Sequence, residues 1–242
     1  AGKRRHLPWS LLTALLLANH GYKVLMHGVN GGSAGRLYFP DALDRMGIVI
    51  AASPKDAAAN ILRNNFSFIP LETLSPDFDA LLKLKAVLGL RSPMHTVARM
   101  LNPARASASL IGIFHPGYDD THQHAAMLLN DPNTATFKGE GGEAERNPDT
   151  PCSVKLWLDG SMLQETWPAC FADRHLKDAQ MDTARLIQLW RGEIDDEYAQ
   201  ASVTGTAAIA LRVLGRADTI AAAQQQAEDL WHNRNRDVLI PD

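Results

Sequence analysis

The chain has 242 residues, enough to bury a full core in one large domain or one domain with a small appendage. Hydrophobic residues make up 45% and charged residues 21%, an ordinary globular balance, and no apolar run approaches the length of a membrane span. Net charge is −3, but the first 110 residues hold 13 Lys+Arg against 6 Asp+Glu and the remainder 11 against 21, so a basic half precedes an acidic one.

The opening Ala1-Gly2-Lys3-Arg4-Arg5 reads as the interior of a loop, which sets the expectation of an N-terminal truncation. Pro8 to His20 is a predicted helix, with proline in the first turn and a Leu/Ala-rich body. Gly21 ends it, and residues 22–27 read as a buried strand. The glycine-rich segment Gly28 to Gly35 follows, then helices over 41–46 and 54–64 and a strand over 66–70. Residues 77–88 and 94–101 are predicted helical, divided by Gly89 and Pro93. Ser107 to His115 is a strand and Asp120 to Leu129 a helix. Strands near 135–138, 153–158 and 163–166 come next, and helices over 182–191, 200–214 and 219–232 close the chain and are expected to cover one sheet face. Alternating strands and helices imply an α/β fold with a central mixed sheet flanked by helices.

The run Phe137 to Asp149 carries the densest chemistry. Three glycines in four positions permit tight turning and close approach to a ligand. Its carboxylates could hold a hard cation such as Mg²⁺, or be no more than a solvated acidic turn. The loop Gly28, Val29, Asn30, Gly31, Gly32, Ser33 offers backbone N–H groups as an anion nest, with His27 just before it. Lys3, Arg4, Arg5, Lys83, Lys85, Arg91, Arg99 and Arg105 are the candidate phosphate contacts; the alternative is a solvated helix face. Trp9 is either a stacking residue or a buried anchor at the helix start. His115, His122 and His124 with Asp119 and Asp120 lack metal-ligand spacing. Cys152 and Cys170 read as ordinary buried thiols, and so few cysteines fit a reducing, cytoplasmic compartment.

Several segments resemble anthranilate phosphoribosyltransferase and its nucleoside-phosphorylase relatives. Residues 23–28 resemble that family's "KVAKHG", residues 88–104 its "LGIRT…LLNPA", and 112–116 its "GVYHP". Lys138, Gly139, Glu140, Gly141 and Gly142 resemble "HGEGG", and Thr206-Ala207-Ala208 and residues 215–218 match its C-terminal helices. The resemblance implies the family's α/β domain over 1–77 and 105–242, a remnant of its small helical domain over 78–104, and a homodimer for the full-length protein. It also implies phosphoribosyl transfer with Mg²⁺, but the diphosphate-binding GTGGD is absent, the strand-end lysine is Met26, and the Asp-Glu pair on the metal is Ala144-Glu145. If the reaction survives, His27, Arg91 and Glu145 are the residues to carry it, with Glu145 on Mg²⁺. Otherwise no cofactor is expected. The "KGEGGE" and "NPD" elements look like the YbiB-type paralogues, which implies a catalytically degenerate protein that binds nucleic acid, single-stranded and without sequence preference.

Overall fold

The computed structural model describes residues 2–3, 5–31, 35–90 and 92–241. In chain order the elements are α1 (Trp9–Asn19), β1 (Val24–Gly28), α2 (Phe39–Arg45), α3 (Pro54–Asn64), β2 (Phe66–Pro70), α4 (Leu71–Leu74), α5 (Pro76–Lys83), α6 (Lys85–Leu88) and α7 (Met94–Val97). Then come β3 (Ala108–Ile113), α8 (Tyr118–Leu129), β4 (Asn133–Lys138), β5 (Cys152–Leu158), β6 (Ser161–Trp167), α9 (Ala184–Arg191), α10 (Glu197–Val213) and α11 (Ile220–His232).

The boundaries follow local chemistry. Ser53 caps α3 by accepting the Asp56 N–H at 3.1 Å, and Asn65 ends that helix in the left-handed region at φ 62°. α10 starts three residues before its predicted first residue, because the Asp196 carboxylate accepts the Ala199 N–H at 2.9 Å. The predicted helix over 77–88 is two helices meeting at Leu84, and the one over 94–101 gives way to a 3-10 turn at Ala98.

α1 is apolar all round, and Leu11, Leu12, Leu15 and Leu16 are fully buried. A helix of that kind belongs inside a core, where each leucine contributes about 1.5–3 kcal/mol. It packs on β1, β2, α9, α10 and α11, and its Thr13 hydroxyl donates to the Val203 carbonyl of α10 at 3.1 Å. α10 is built from small residues that allow this approach and lies against β3 and β4, while α11 packs on α10. The closing helices therefore form two layers instead of sharing one sheet face.

The mixed sheet is β3-β4-β5-β6: β3 and β4 are parallel, β4, β5 and β6 antiparallel. β1 and β2 make a separate parallel pair, Val24 opposite Phe66 through Gly28 opposite Pro70. β2 is buried throughout, its outer side covered where the Ala51 N–H donates to Phe68, whereas β1 is half-exposed along its whole length.

Candidate functional site

The glycine-rich turn after β4 lies directly across β3. The Gly139 N–H donates to the Ile113 carbonyl at 3.1 Å, carrying the ladder one residue beyond the strand. A Cβ on Gly112 would stand 2.1 Å from the Glu143 carbonyl, and one on Gly139 would stand 1.7 Å from the same oxygen. Side chains are excluded at both positions, so these glycines serve close packing of loop on strand. The Arg99 guanidinium closes the arrangement by donating to the carbonyls of Gly112 and Gly142.

The loop's carboxylates are turned inward. Glu145 is wholly buried; it accepts from Lys3 Nζ at 2.5 Å and from the Ser10 N–H, in the first turn of α1, at 2.8 Å. Lys3 itself is 2% exposed. Burial pushes the Glu145 carboxyl above the ordinary carboxylate range, opposed by the Lys3 ammonium and the Ser10 N–H. Glu143 accepts the Gly2 N–H at 2.7 Å, and Glu140 accepts from Asn147 at 3.2 Å. The amino-terminal strip thus seals the acidic loop, aligned by the Lys3–Leu37 bridge.

Beneath the loop lies a cavity of about 540 Å³ between β1 and β3, floored by α1 and α10 and roofed by residues 99–106. His27 sits on its wall. Its Nε2 donates to the Leu101 carbonyl at 3.0 Å, and burial lowers its pKa, so it is a neutral strand-end histidine. Asn30 donates to Glu72 at the surface, leaving its side chain committed outside any anion nest.

The predicted basic stripe is divided. Lys3 is buried against Glu145 and cannot meet a phosphate backbone, and Arg99 is committed to two carbonyls. Arg5 and Arg105 are exposed and Lys85 is half-buried. Lys83 reaches solvent but pairs with Asp79 at 2.6 Å, a helical neighbour four residues away. Arg4, Arg91, Gly32 and Ser33 lie outside the described residues. In the glycine scaffold Lys138 is exposed and Gly142 buried; Gly141 and Gly142 take positive φ, 67° and 82°. Gly28 ends β1, and Gly31 is exposed in the loop beyond it. Trp9 is a fully buried anchor, with the Arg185 guanidinium 5.8 Å from its ring centroid.

His122 and His124 each turn a ring nitrogen back to the carbonyl four residues earlier, those of Tyr118 and Asp120. No group of three or more His, Cys, Asp or Glu among the described residues could hold a metal ion. Cys152 is buried in β5, its pKa pushed up to about 11, whereas Cys170 is exposed, contrary to the expectation of two buried thiols. Sequence reasoning missed a second cluster beside the loop. His6 stacks on Tyr198 at 4.3 Å, and His175 bridges Asp149 at 2.7 Å and Glu197 at 3.1 Å. The partners are far apart in the chain, and no local motif marks them.

The model of the α/β domain of a glycosyl transferase family matches residues 5–235. The chain belongs to this family. Its relatives include the anthranilate phosphoribosyltransferase of Oleidesulfovibrio alaskensis, 30% identical over 152 residues, covering 63% of this chain and 46% of that enzyme. That of Burkholderia ambifaria is 26% identical over 228 residues, 91% of this chain and 66% of the enzyme. The chain therefore spans less than two thirds of the length of these relatives. Among solved structures, anthranilate phosphoribosyltransferase from Thermus thermophilus superposes with a TM-score of 0.78 at 20% identity, covering 99% of this chain and 72% of that one. The Saccharomyces cerevisiae enzyme in complex with PRPP and Mg gives 0.75 at 17% identity, covering 96% and 66%. These likenesses establish the anthranilate phosphoribosyltransferase fold. No helix among the described residues is long and apolar enough to cross a membrane.

Mg²⁺ accompanies PRPP in the yeast relative, so the glycine-rich loop of this chain bears on whether it suits a metal. It does not suit one as folded. The buried oxygens of Glu145 face an ammonium and a peptide N–H, and a divalent cation entering there would meet the Lys3 charge at contact distance.

Proposed function

We propose that this chain is a catalytically degenerate member of the glycosyltransferase family that binds nucleic acid through phosphate contacts, single-stranded and without sequence preference. One observation carries the reading: the buried Lys3–Glu145 pair stands where the resemblance calls for a metal carboxylate. Phosphoribosyl transfer expels a diphosphate, whose developing charge needs cationic stabilisation. With Glu145 consumed internally, no metal step is assigned to this chain. Support for a polyanionic partner comes from the excess of 13 basic over 6 acidic residues in the first 110.

With Lys3 and Arg99 withdrawn, six of the eight candidate contacts remain: Arg4, Arg5, Lys83, Lys85, Arg91 and Arg105. Six phosphate contacts on a single strand give a slope of log K against log salt of about −4. Fluorescence anisotropy with a labelled oligonucleotide between 50 and 200 mM salt (about a fourfold range) checks this, and an undetectable or salt-independent change would sink it. Mg²⁺-dependent diphosphate release from phosphoribosyl diphosphate would instead establish an active transferase. The exposed Leu84, Val87, Leu88 and Leu90 support the homodimer expected of the longer protein, which sedimentation of that protein tests.

A further inference from the structure

The outer edge of β6 is open. β6 pairs with β5 from Cys152 opposite Trp167 to Leu158 opposite Ser161, and with no other strand among the described residues. Asp159 and Gly160, both at positive φ, make the two-residue turn between them, so the flanking pair Leu158–Ser161 is hydrogen-bonded. Alternation from that pair turns the N–H and C=O groups of Ser161, Leu163, Glu165 and Trp167 towards β5. Those of Met162, Gln164 and Thr166 point away from it. α8 lies over β4 and β5 and α10 over β3 and β4, so β6 overhangs both layers. It is held there by Gln123, which donates to the Leu163 carbonyl at 2.8 Å, and by Arg212, which donates to Glu165 at 2.8 Å.

Proteins ordinarily blunt such an edge with lysine, proline or a bulge. β6 has none of these: its register with β5 is unbroken, and Ser161 to Trp167 holds no lysine, proline or glycine. Its one charged residue, Glu165, is neutralised by Arg212. Met162 and Leu163, on opposite faces of the strand, are 37% and 42% exposed. The strand also complements itself. Its three outward residues are spaced evenly about Gln164. An antiparallel copy related by a two-fold axis at Gln164 therefore sets Met162 opposite the copy's Thr166, Gln164 opposite Gln164 and Leu163 opposite Glu165. Every outward N–H then meets an outward C=O, and no charge stands directly opposite a like charge.

We infer that β6 is a self-docking edge: two copies of this chain pair β6 with β6, antiparallel about Gln164, and join their four-stranded sheets into one continuous sheet. This contact is separate from the exposed apolar residues Leu84 to Leu90 and does not depend on nucleic-acid binding.

Hydrogen exchange of the unmodified chain at about 5 and about 500 µM makes the first test, because the amides of Met162, Gln164 and Thr166 report on this edge and on no contact elsewhere. They exchange about tenfold more slowly at the higher concentration. Gln164→Lys and Gln164→Glu then set like charges opposite each other across the axis, and each weakens association about fivefold, read at the Met162 and Thr166 amides. An equimolar mixture of the two variants sets opposite charges there and restores the protection. Exchange at the three amides that does not change with concentration overturns the inference, whether they are fast throughout or already covered by another partner. A mixture no better protected than the separate variants overturns it too. Where a charged variant misfolds, Gln164→Pro removes an outward N–H without touching the β5 ladder, and association unaffected by that change gives the same refuting result.

Discussion

Replacing Lys3 by methionine removes the ammonium while keeping most of the side chain's volume. The pair it breaks is 2% exposed on one side and fully buried on the other, so solvent screening does not soften the loss. Removing one member of such a pair leaves an uncompensated buried carboxylate, at a cost of about 3–5 kcal/mol. At about 2–4 °C per kcal/mol for a chain of this size, Lys3→Met lowers Tm by roughly 6–20 °C. The loss is pH-dependent in a defined sense. Burial already raises the Glu145 pKa above its ordinary 4.5, and without Lys3 it rises further. The folded variant then binds a proton more readily than the unfolded chain, so its deficit is greatest at neutral pH and shrinks as pH falls through the raised value towards 4.5. Urea titrations of Lys3→Met, Glu145→Gln and the double variant at pH 5 and pH 8 supply the measurement. The double variant recovers most of the stability, because no charge is left buried alone. A deficit under about 1 kcal/mol for Lys3→Met, or one that grows on acidification, would show that no buried charge is left unpaired.

Gly112→Ala places a methyl carbon 2.1 Å from the Glu143 carbonyl and costs about 1–3 kcal/mol in urea denaturation, whereas Gly31→Ala, with open space around it, is neutral. Arg99→Met lowers stability by about 2–3 kcal/mol through its lost carbonyl contacts, while Arg105→Ala leaves stability unchanged and weakens oligonucleotide binding. The Asp149 hydrogen bond raises the His175 pKa, so this histidine stabilises the fold below pH 6.5 and its contribution is lost as pH rises through the raised value. An NMR titration of His175 has its midpoint above 6.5, and Asp149→Asn brings it down.

Much of the architecture is legible in the sequence because the punctuating residues act locally. Pro54 and Asn65 bracket α3, and Gly21 separates α1 from β1. The glycines around 139–142 announce a close approach, and Gly112 and Gly139 supply it. What escapes is long-range. Lys3 reads as one more member of a basic stripe, since nothing near it in sequence shows that Glu145, 142 residues away, accepts its hydrogen bond. Arg99 is hidden for the same reason: its charge is visible, but the carbonyls it serves belong to a strand and a loop further along the chain. The division of the sheet is likewise hidden, because strand periodicity reports burial and not which edges meet.

The placement of α1 has a consequence for biosynthesis. Its leucine surface leaves the ribosome long before the helix that covers it, which includes Val203, 190 residues beyond Thr13. At roughly 5–20 residues per second, that wait is on the order of 10–40 s. During it α1 is an unpaired apolar rod, a ready ligand for chaperones or for another nascent copy. Slowing translation between α1 and α10 should therefore lower the yield of folded protein more than the same delay imposed after α10.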